Sequence, residues 1–548
     1  MRKTAVKNGI SVKAYAGVTG VLLAMNVTPA RRAGLLGFAL KRRAPGTDFK
    51  WLKGMLTFPG QHHTDGELSP TNVAPIQKFR WSDYTVAPGQ SYTYVVHPVY
   101  GPPGAPDLKE GVSVTVRTGR VTEGEHSVVF NRAAAASQAF SRDFPEVEQL
   151  LNEARRKKQP APPIEQWPPA AAAWLTRGLL EQILGFVALA NSARWALDIA
   201  IYEYELPVIA AAVRAAREAG AQVRVVYHAK PKDPQTAINQ AALAGIPAAC
   251  KSARVTNKIC HHKFMVLSAV KRGQRFPTAV LCGSANFTEN GVYRQANVVH
   301  VVRRPTLAAQ YLALFEHLYS TPDNPAATRQ YIDAANPIVP GQPLFAGFSP
   351  RSRRPDLAEF ARVLSAARRD VLFCTTFDLD DAIEDALLGQ PRDRVLRYGL
   401  ENSRSRITGF HAERTASFAT PAMLSTGLEG FLRESTAGQR GNILIHTKVL
   451  ITDFTSDMPT VISGSHNYSR AASEANDENF LMLRGNTDVA DAYGCELLRL
   501  YDHYRFRFFI REASRSPRHL DPTDGWTRKY FAKGSLSELD RLRFAGEG

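Results

Sequence analysis

Within residues 442–479 the apolar run Ile443, Leu444, Ile445 leads into His446 and Lys448, separated by one residue. Alternate side chains of an extended strand share a face, so the imidazole and the ammonium point the same way. Val449–Ile451 continues the strand, and Asp453 lies five positions after Lys448. A second apolar step, Val461-Ile462, ends in Gly464-Ser465-His466-Asn467. An imidazole, an ammonium, a hydroxyl and an amide at the ends of two neighbouring strands can grip a phosphate and offer it a nucleophile. Such a site needs a second half.

Residues 261–297 supply one. His261-x-Lys263 answers His446-x-Lys448, and Gly283-Ser284-x-Asn286 answers Gly464-Ser465-x-Asn467. Eleven residues beyond each Asn stand Asn297 and Glu478. A lone His-x-Lys carries no weight; two copies of the whole set, each on two expected strands, do. The second copy is the fuller one: Ser268 occupies the place of Asp453, and Asn297 that of Glu478.

The paired motifs resemble those of the phospholipase D superfamily, over about residues 170–510. The resemblance implies two α/β halves packed about a pseudo-two-fold axis with both motifs in one cleft. It implies catalytic roles for His261, Lys263, His446, Lys448, Asp453 and Glu478, and phosphate contacts from Ser284, Asn286, Ser465 and Asn467. It also implies His261 as nucleophile, His446 as acid and base, and no metal or other cofactor. The chemistry is coherent. The charge of a phosphodiester repels nucleophiles, so fixed cations and donors must hold its oxygens. One imidazole attacks phosphorus while the other protonates the departing alkoxide, and water then opens the phosphohistidine. Each imidazole needs a polar partner on its other nitrogen, and Glu478 is the candidate for one of them.

The elements around the motifs fit an α/β frame. Ala196–Tyr204 and Gln222–Tyr227 read as strands flanking an Ala-rich helix, Leu206–Ala219, which is a βαβ unit in a parallel or mixed sheet. After the Pro- and Gly-rich residues 336–346 the order recurs, with a helix at Asp356–Ala367 and a strand at Asp370–Thr375. The period is roughly 180 residues, that of a duplicated domain. Residues 171–340 and 341–548 are the two expected units, the second with a carboxy-terminal extension. Residues 146–170, a charge run with five prolines, read as a linker.

Residues 1–145 read as an all-β, immunoglobulin-like sandwich, from Ile10–Tyr15 through Tyr92–Val99 to Ser127–Phe130. The hairpin around Pro88-Gly89, with alternating Tyr92 and Tyr94, resembles fibronectin type III. No catalytic set appears there; His62-His63 lacks a third ligand. The interleaved aromatics and arginines near Tyr504 and Trp526 could stack bases, but packing of a terminal extension is the expected role.

The chain has 68 Lys+Arg against 51 Asp+Glu, a net charge of +17 and a pI near 9.7. That suits an anionic partner, phospholipid or nucleic acid. The first fifty residues hold ten cations and one acid, so this end could touch an anionic surface. Five scattered cysteines form neither a disulfide framework nor a C-x-x-C pair. The amino terminus has charges without a following apolar region, so no signal peptide is expected, and no run of about 18 apolar residues occurs to span a bilayer. A monomeric cytoplasmic phosphodiesterase is expected, acting on phospholipid head groups or, alternatively, as a nuclease. A catalytically impaired anion- or nucleic-acid-binding protein is the third reading.

Overall fold

The computed structural model describes residues 1–61, 67–122, 124–133, 138–160, 162–256, 258–376, 379–388, 394–402, 407–411, 414–419, 445–513 and 519–547. The His62-His63 pair and the run preceding Ile445 fall outside them.

Alternation of apolar and polar side chains builds the amino-terminal strands: β1 (Arg2–Lys7), β2 (Ile10–Ala16), β3 (Val21–Val27), β4 (Gly37–Arg43), β5 (Lys50–Trp51), β6 (Lys53–Gly54), β7 (Ser69–Pro70), β8 (Arg80–Asp83), β9 (Ser91–Tyr100), β10 (Asp107–Leu108) and β11 (Val112–Arg117). In β11, Val112, Val114 and Val116 are buried while Ser113, Thr115 and Arg117 are exposed, the period-two signature of a half-buried sheet. One sheet runs β1-β2-β3-β8; the other runs β10-β9-β4-β5, with β11 also paired to β9. Val12, Leu23 and Met25 of the first meet Phe38, Tyr94, Val96 and Val114 of the second in a shared core.

Ser127–Phe130, counted with these strands from sequence, belongs elsewhere. β12 (His126–Phe130) pairs with β18 (Val298–Val302), placing it on the edge of the first α/β sheet. Period-two patterning identifies a strand without saying which sheet receives it. Between them lie β13 (Trp195–Ile201), β14 (Gln222–His228), β15 (Lys251–Arg254), β16 (Lys263–Lys271) and β17 (Gln274–Gly283), in the order β12-β18-β17-β16-β13-β14-β15. β13, β14 and β15 are parallel neighbours and the rest antiparallel, a mixed sheet. Helix Pro207–Glu218 joins β13 to β14. It starts on a proline, buries Ile209, Ala210, Val213 and Ala216 along one stripe, and stops before Gly220 at φ +98°.

The second α/β sheet is made of β19 (Leu344–Ser349), β20 (Asp370–Thr376), β21 (Leu396–Asn402), β22 (Ile407–His411), β23 (Arg414–Ala419), β24 (Val449–Thr452), β25 (Thr460–Gly464) and β26 (Glu478–Arg484). Its order is β19-β26-β25-β24-β20-β21-β22-β23. The inner five, β26-β25-β24-β20-β21, follow the same plan as β18-β17-β16-β13-β14. A single hydrophobic cluster takes Leu197 and Val266 from the first sheet and Leu372 and Ile451 from the second. It continues to Tyr15 and Leu22 of the amino-terminal region, so the layers share one interior.

The proline-rich stretch packs against this interior. Helix Pro145–Arg156 buries Val147 and Leu151, and Ile164 and Trp167 are buried beyond it. The carboxy-terminal aromatics are also packed: Trp526, Tyr530 and Phe531 close on Phe79 at ring distances of 5.2, 5.0 and 5.8 Å. Helix Leu536–Ala545 follows, and Tyr15 Oη donates to the Phe544 carbonyl at 2.8 Å. No helix among the described residues is long and apolar enough to cross a membrane.

Candidate active site

Each His-x-Lys motif enters its strand from the loop before it, and each entry is fastened to the opposite α/β half. Cys260 forms a parallel bridge with Asp477, and Ile445 forms one with Ala296. The His261 amide donates to the Asp477 carbonyl and the His446 amide to the Ala296 carbonyl, both at 2.9 Å. Asp477 and Ala296 directly precede Glu478 and Asn297. The backbone pairing therefore carries the residue eleven beyond each Asn to the histidine of the other half.

The side chains complete the exchange. His261 Nδ1 lies 2.7 Å from Glu478 Oε2. His446 Nδ1 lies 3.0 Å from Asn297 Oδ1 and 3.1 Å from the Ser284 carbonyl. Asn297 Nδ2 donates to the Gly291 carbonyl at 2.9 Å, inside the π-helical turn Asn290–Arg294, so its oxygen is the atom presented to His446. Acceptors on both Nδ1 atoms place a proton there and make Nε2 the basic nitrogen of each ring. The two imidazole centroids are 6.4 Å apart at 79°.

The lysines lie just behind the rings. Lys263 Nζ donates to the His261 carbonyl at 3.0 Å and Lys448 Nζ to the His446 carbonyl at 2.7 Å. All four motif side chains are buried, with His446 the most exposed at 6%. Burial and the neighbouring Lys263 push the Lys448 ammonium well below its ordinary value. Burial also pushes the Glu478 carboxyl up to about 8, against the pull of Lys263. Asn286 donates to Glu203, and Asn467 accepts from Thr376 at 3.2 Å.

Three residues expected at the site have partners within the fold. Ser284 Oγ donates to Asn297 Oδ1 at 2.7 Å and accepts from the Val298 amide at 3.1 Å, so it braces the partner of His446. Ser465 accepts from the Asn479 amide at 3.0 Å in the matching place. Both hydroxyls have partners within the fold. Asp453 stands beyond the far end of β24, five residues of extended chain or about 16 Å from Lys448. At φ +54° it accepts from the Arg368 and Arg369 amides at 2.8 and 2.7 Å, which is turn chemistry. Ser268 occupies the same depth of β16, at a register shift, so its difference from Asp453 lies away from the histidines. Asp453→Ala should therefore cost about 1–3 kcal/mol of stability while changing turnover less than about threefold; urea melts and diester hydrolysis check both halves.

The glycines of the Gly-Ser steps have a steric cause. A Cβ on Gly283 would meet the Val298 carbonyl oxygen at 2.1 Å, and one on Gly464 the Asn479 oxygen at 2.2 Å. His262 Nδ1 faces Asn479 at 3.4 Å, and His300 lies between His126 and Tyr493. Among the described residues no group of three or more His, Cys, Asp or Glu is arranged to hold a metal.

Sequence reading missed Glu203, Arg254 and Asp477. Arg254 Nε donates to Asp477 Oδ2 at 2.8 Å with both side chains fully buried, fixing the residue before Glu478. Nothing in the spacing of the motifs points to Arg254, 223 residues from its partner.

Residues 186–319 match a family described as cardiolipin synthase, PLD-like domain. This part of the chain is phospholipase D-like. The matched stretch holds the whole first motif set, His261 through Asn297. No curated protein sequence matches the chain. Among solved structures, phosphatidylserine synthase from Haemophilus influenzae Rd KW20 shares 12% identity, with 62% of this chain and 91% of that one covered and a TM-score of 0.41. Yeast tyrosyl-DNA phosphodiesterase shares 11%, covering 56% and 88%, with a TM-score of 0.32. Polyphosphate kinase from Porphyromonas gingivalis also shares 11%, at a TM-score of 0.38; the match covers 58% of this chain and 46% of the kinase. The second motif set, His446 through Glu478, lies outside the family match and meets the first through the hydrogen bonds above.

Proposed function

We propose that the protein hydrolyses a phosphodiester without a metal, through a covalent phosphohistidine. The observation that carries this reading is the exchange of histidine partners, Glu478 to His261 and Asn297 to His446. It makes Nε2 the basic nitrogen of two rings close enough to address one phosphorus. His261 attacks, the phosphorus–oxygen bond to the leaving group breaks, and His446 gives that oxygen its proton. Water then attacks phosphorus, His446 takes the water's proton, and His261 leaves. Lys263, Lys448, Asn286 and Asn467 hold the non-bridging oxygens, taking the part of fixed cations and donors.

The order of roles follows from charge. Phosphorylated at Nε2 with a proton on Nδ1, an imidazole is cationic, and a carboxylate beside it stabilises that state. His261 has the carboxylate. His446 has the Asn297 amide oxygen and the Ser284 carbonyl on its Nδ1, which fits a ring that gives and takes a proton. Asn297 in place of a second Glu thus supports unequal roles rather than a disabled half.

Phospholipid head-group hydrolysis or transfer is the first substrate reading. The net charge of +17 favours the second, a nuclease. All five cysteines are free, which supports a reducing compartment such as the cytoplasm. A panel with EDTA present tests the proposal: phosphatidylcholine, cardiolipin, single- and double-stranded DNA, and a chromogenic diester. Turnover of at least one, undiminished by chelator and passing through an acid-labile phosphoenzyme, is expected. No turnover and no phosphoenzyme would leave an anion-binding protein.

A further inference from the structure

The solvent face of the five-stranded amino-terminal sheet has no part in the chemistry above, yet its composition is specific. Pairing puts Trp51 opposite Lys41 and Lys41 opposite Val95, which faces Ser113. The next row runs Arg43, Thr93, Thr115, with the two threonine hydroxyls 2.9 Å apart. Lys41 Nζ sits over the rings of Phe49 and Trp51 at 5.2 and 5.4 Å, and the Arg43 guanidinium over Phe49 at 4.8 Å. Beside them, the Ala44–Thr47 turn and Ser91/Thr93 enclose a groove of about 390 Å³ that Arg43 also lines.

The charge on this face is unbalanced. Residues 1–61 hold eleven Lys and Arg and one acid, Asp48. Among the described residues, Lys41, Arg43, Lys50 and Lys53 have no carboxylate within ion-pair distance, whereas Arg42, on the inner face, is paired with Asp83. Cations stacked on partly exposed rings, with hydroxyl rows alongside, match a chain that presents phosphates and unstacked flat bases together. A duplex hides its base faces and can use only the cations. A bilayer would use the cations and a projecting apolar cluster, but here the rings alternate with Lys41 and Arg43, each cation lying over a ring face.

We propose that this sheet face is a binding platform for single-stranded nucleic acid, outside the catalytic cleft, with Trp51 and Phe49 stacking bases and Lys41 and Arg43 contacting phosphates. It does not depend on the reading of the histidine site.

The test uses full-length protein carrying His446→Ala, so that bound strands survive, and fluorescence anisotropy with a labelled oligo-dT. Adding Phe49→Ala and Trp51→Ala should weaken binding about tenfold or more, as the stacking of two bases is lost. Trp51→Phe should restore most of its share. Lys41→Gln with Arg43→Gln should weaken binding and flatten its salt dependence by roughly 0.7 log unit per lost phosphate contact. Duplex of the same length should bind more weakly and be indifferent to the ring changes. In the protein with both histidines intact, the same substitutions should leave chromogenic diester turnover unchanged. Four results would each overturn the proposal. Oligo-dT affinity could be untouched by all the variants, or duplex could respond to the ring changes as oligo-dT does. Phosphatidylcholine/phosphatidylglycerol vesicles could bind tightly and lose binding in parallel. A fall in affinity could also coincide with a lowered melting temperature in every variant, Trp51→Phe included.

Discussion

His446→Ala should stop steady-state hydrolysis yet still become phosphorylated. With a nitrophenyl diester the departing phenolate needs no proton, so His261 can attack and release it without help. The second step then stalls, because no base takes the proton from the attacking water, and the adduct accumulates on His261. Turnover should fall about 10²- to 10⁴-fold, the usual worth of a placed acid and base. With an alkyl leaving group even the first step should fail, since an alkoxide must be protonated as it departs. His261→Ala removes the nucleophile itself, so neither substrate should leave a phosphoenzyme. Peptide mapping of the acid-labile adduct decides the order: a phosphate on His446 would reverse it.

How much of this arrangement the residues announce depends on range. The strands carrying the motifs were legible because period-two patterning and the βαβ rhythm are local. His261–Lys263 and His446–Lys448 stand at the mouths of those strands, where each lysine Nζ reaches back to the carbonyl of its own histidine. What the pattern could not convey is the crossing of partners. Glu478 lies near Asn467 in sequence, and nothing local says that it serves His261, 217 residues away. The crossing arises from two backbone bridges, Cys260 to Asp477 and Ala296 to Ile445, which form only when the halves meet. Asp453 illustrates the opposite failure. A strand advances about 3.3 Å per residue, so a residue five positions beyond Lys448 cannot remain beside it. Ser127–Phe130 failed on sheet membership rather than on strand character. Ser284 and Ser465 were expected as phosphate contacts, and each hydroxyl, standing next to a strand end, also accepts from a backbone amide.

The largest pH effect should come from Glu478. Burial pushes its carboxyl up to about 8, so below that pH it increasingly holds a proton. A protonated carboxyl offers no negative charge to the cation that forms on His261, and the proton it carries competes for Nδ1. The kcat/KM for a diester should therefore rise about tenfold per pH unit toward a plateau near pH 8, the sign expected when the protonated form is the inactive one. Lys448, its ammonium pushed well down by burial and by Lys263, contributes the opposite limb, with activity falling as it loses its proton. Glu478→Gln keeps an acceptor at His261 Nδ1 and so keeps the ring's tautomer, but it cannot titrate. Its plateau should drop about 10²-fold, and the limb near pH 8 should disappear while the downturn from Lys448 remains. A variant that merely loosened the fold would lower the whole profile and leave its shape alone. An acid limb unchanged in Glu478→Gln would assign that proton to a group other than Glu478.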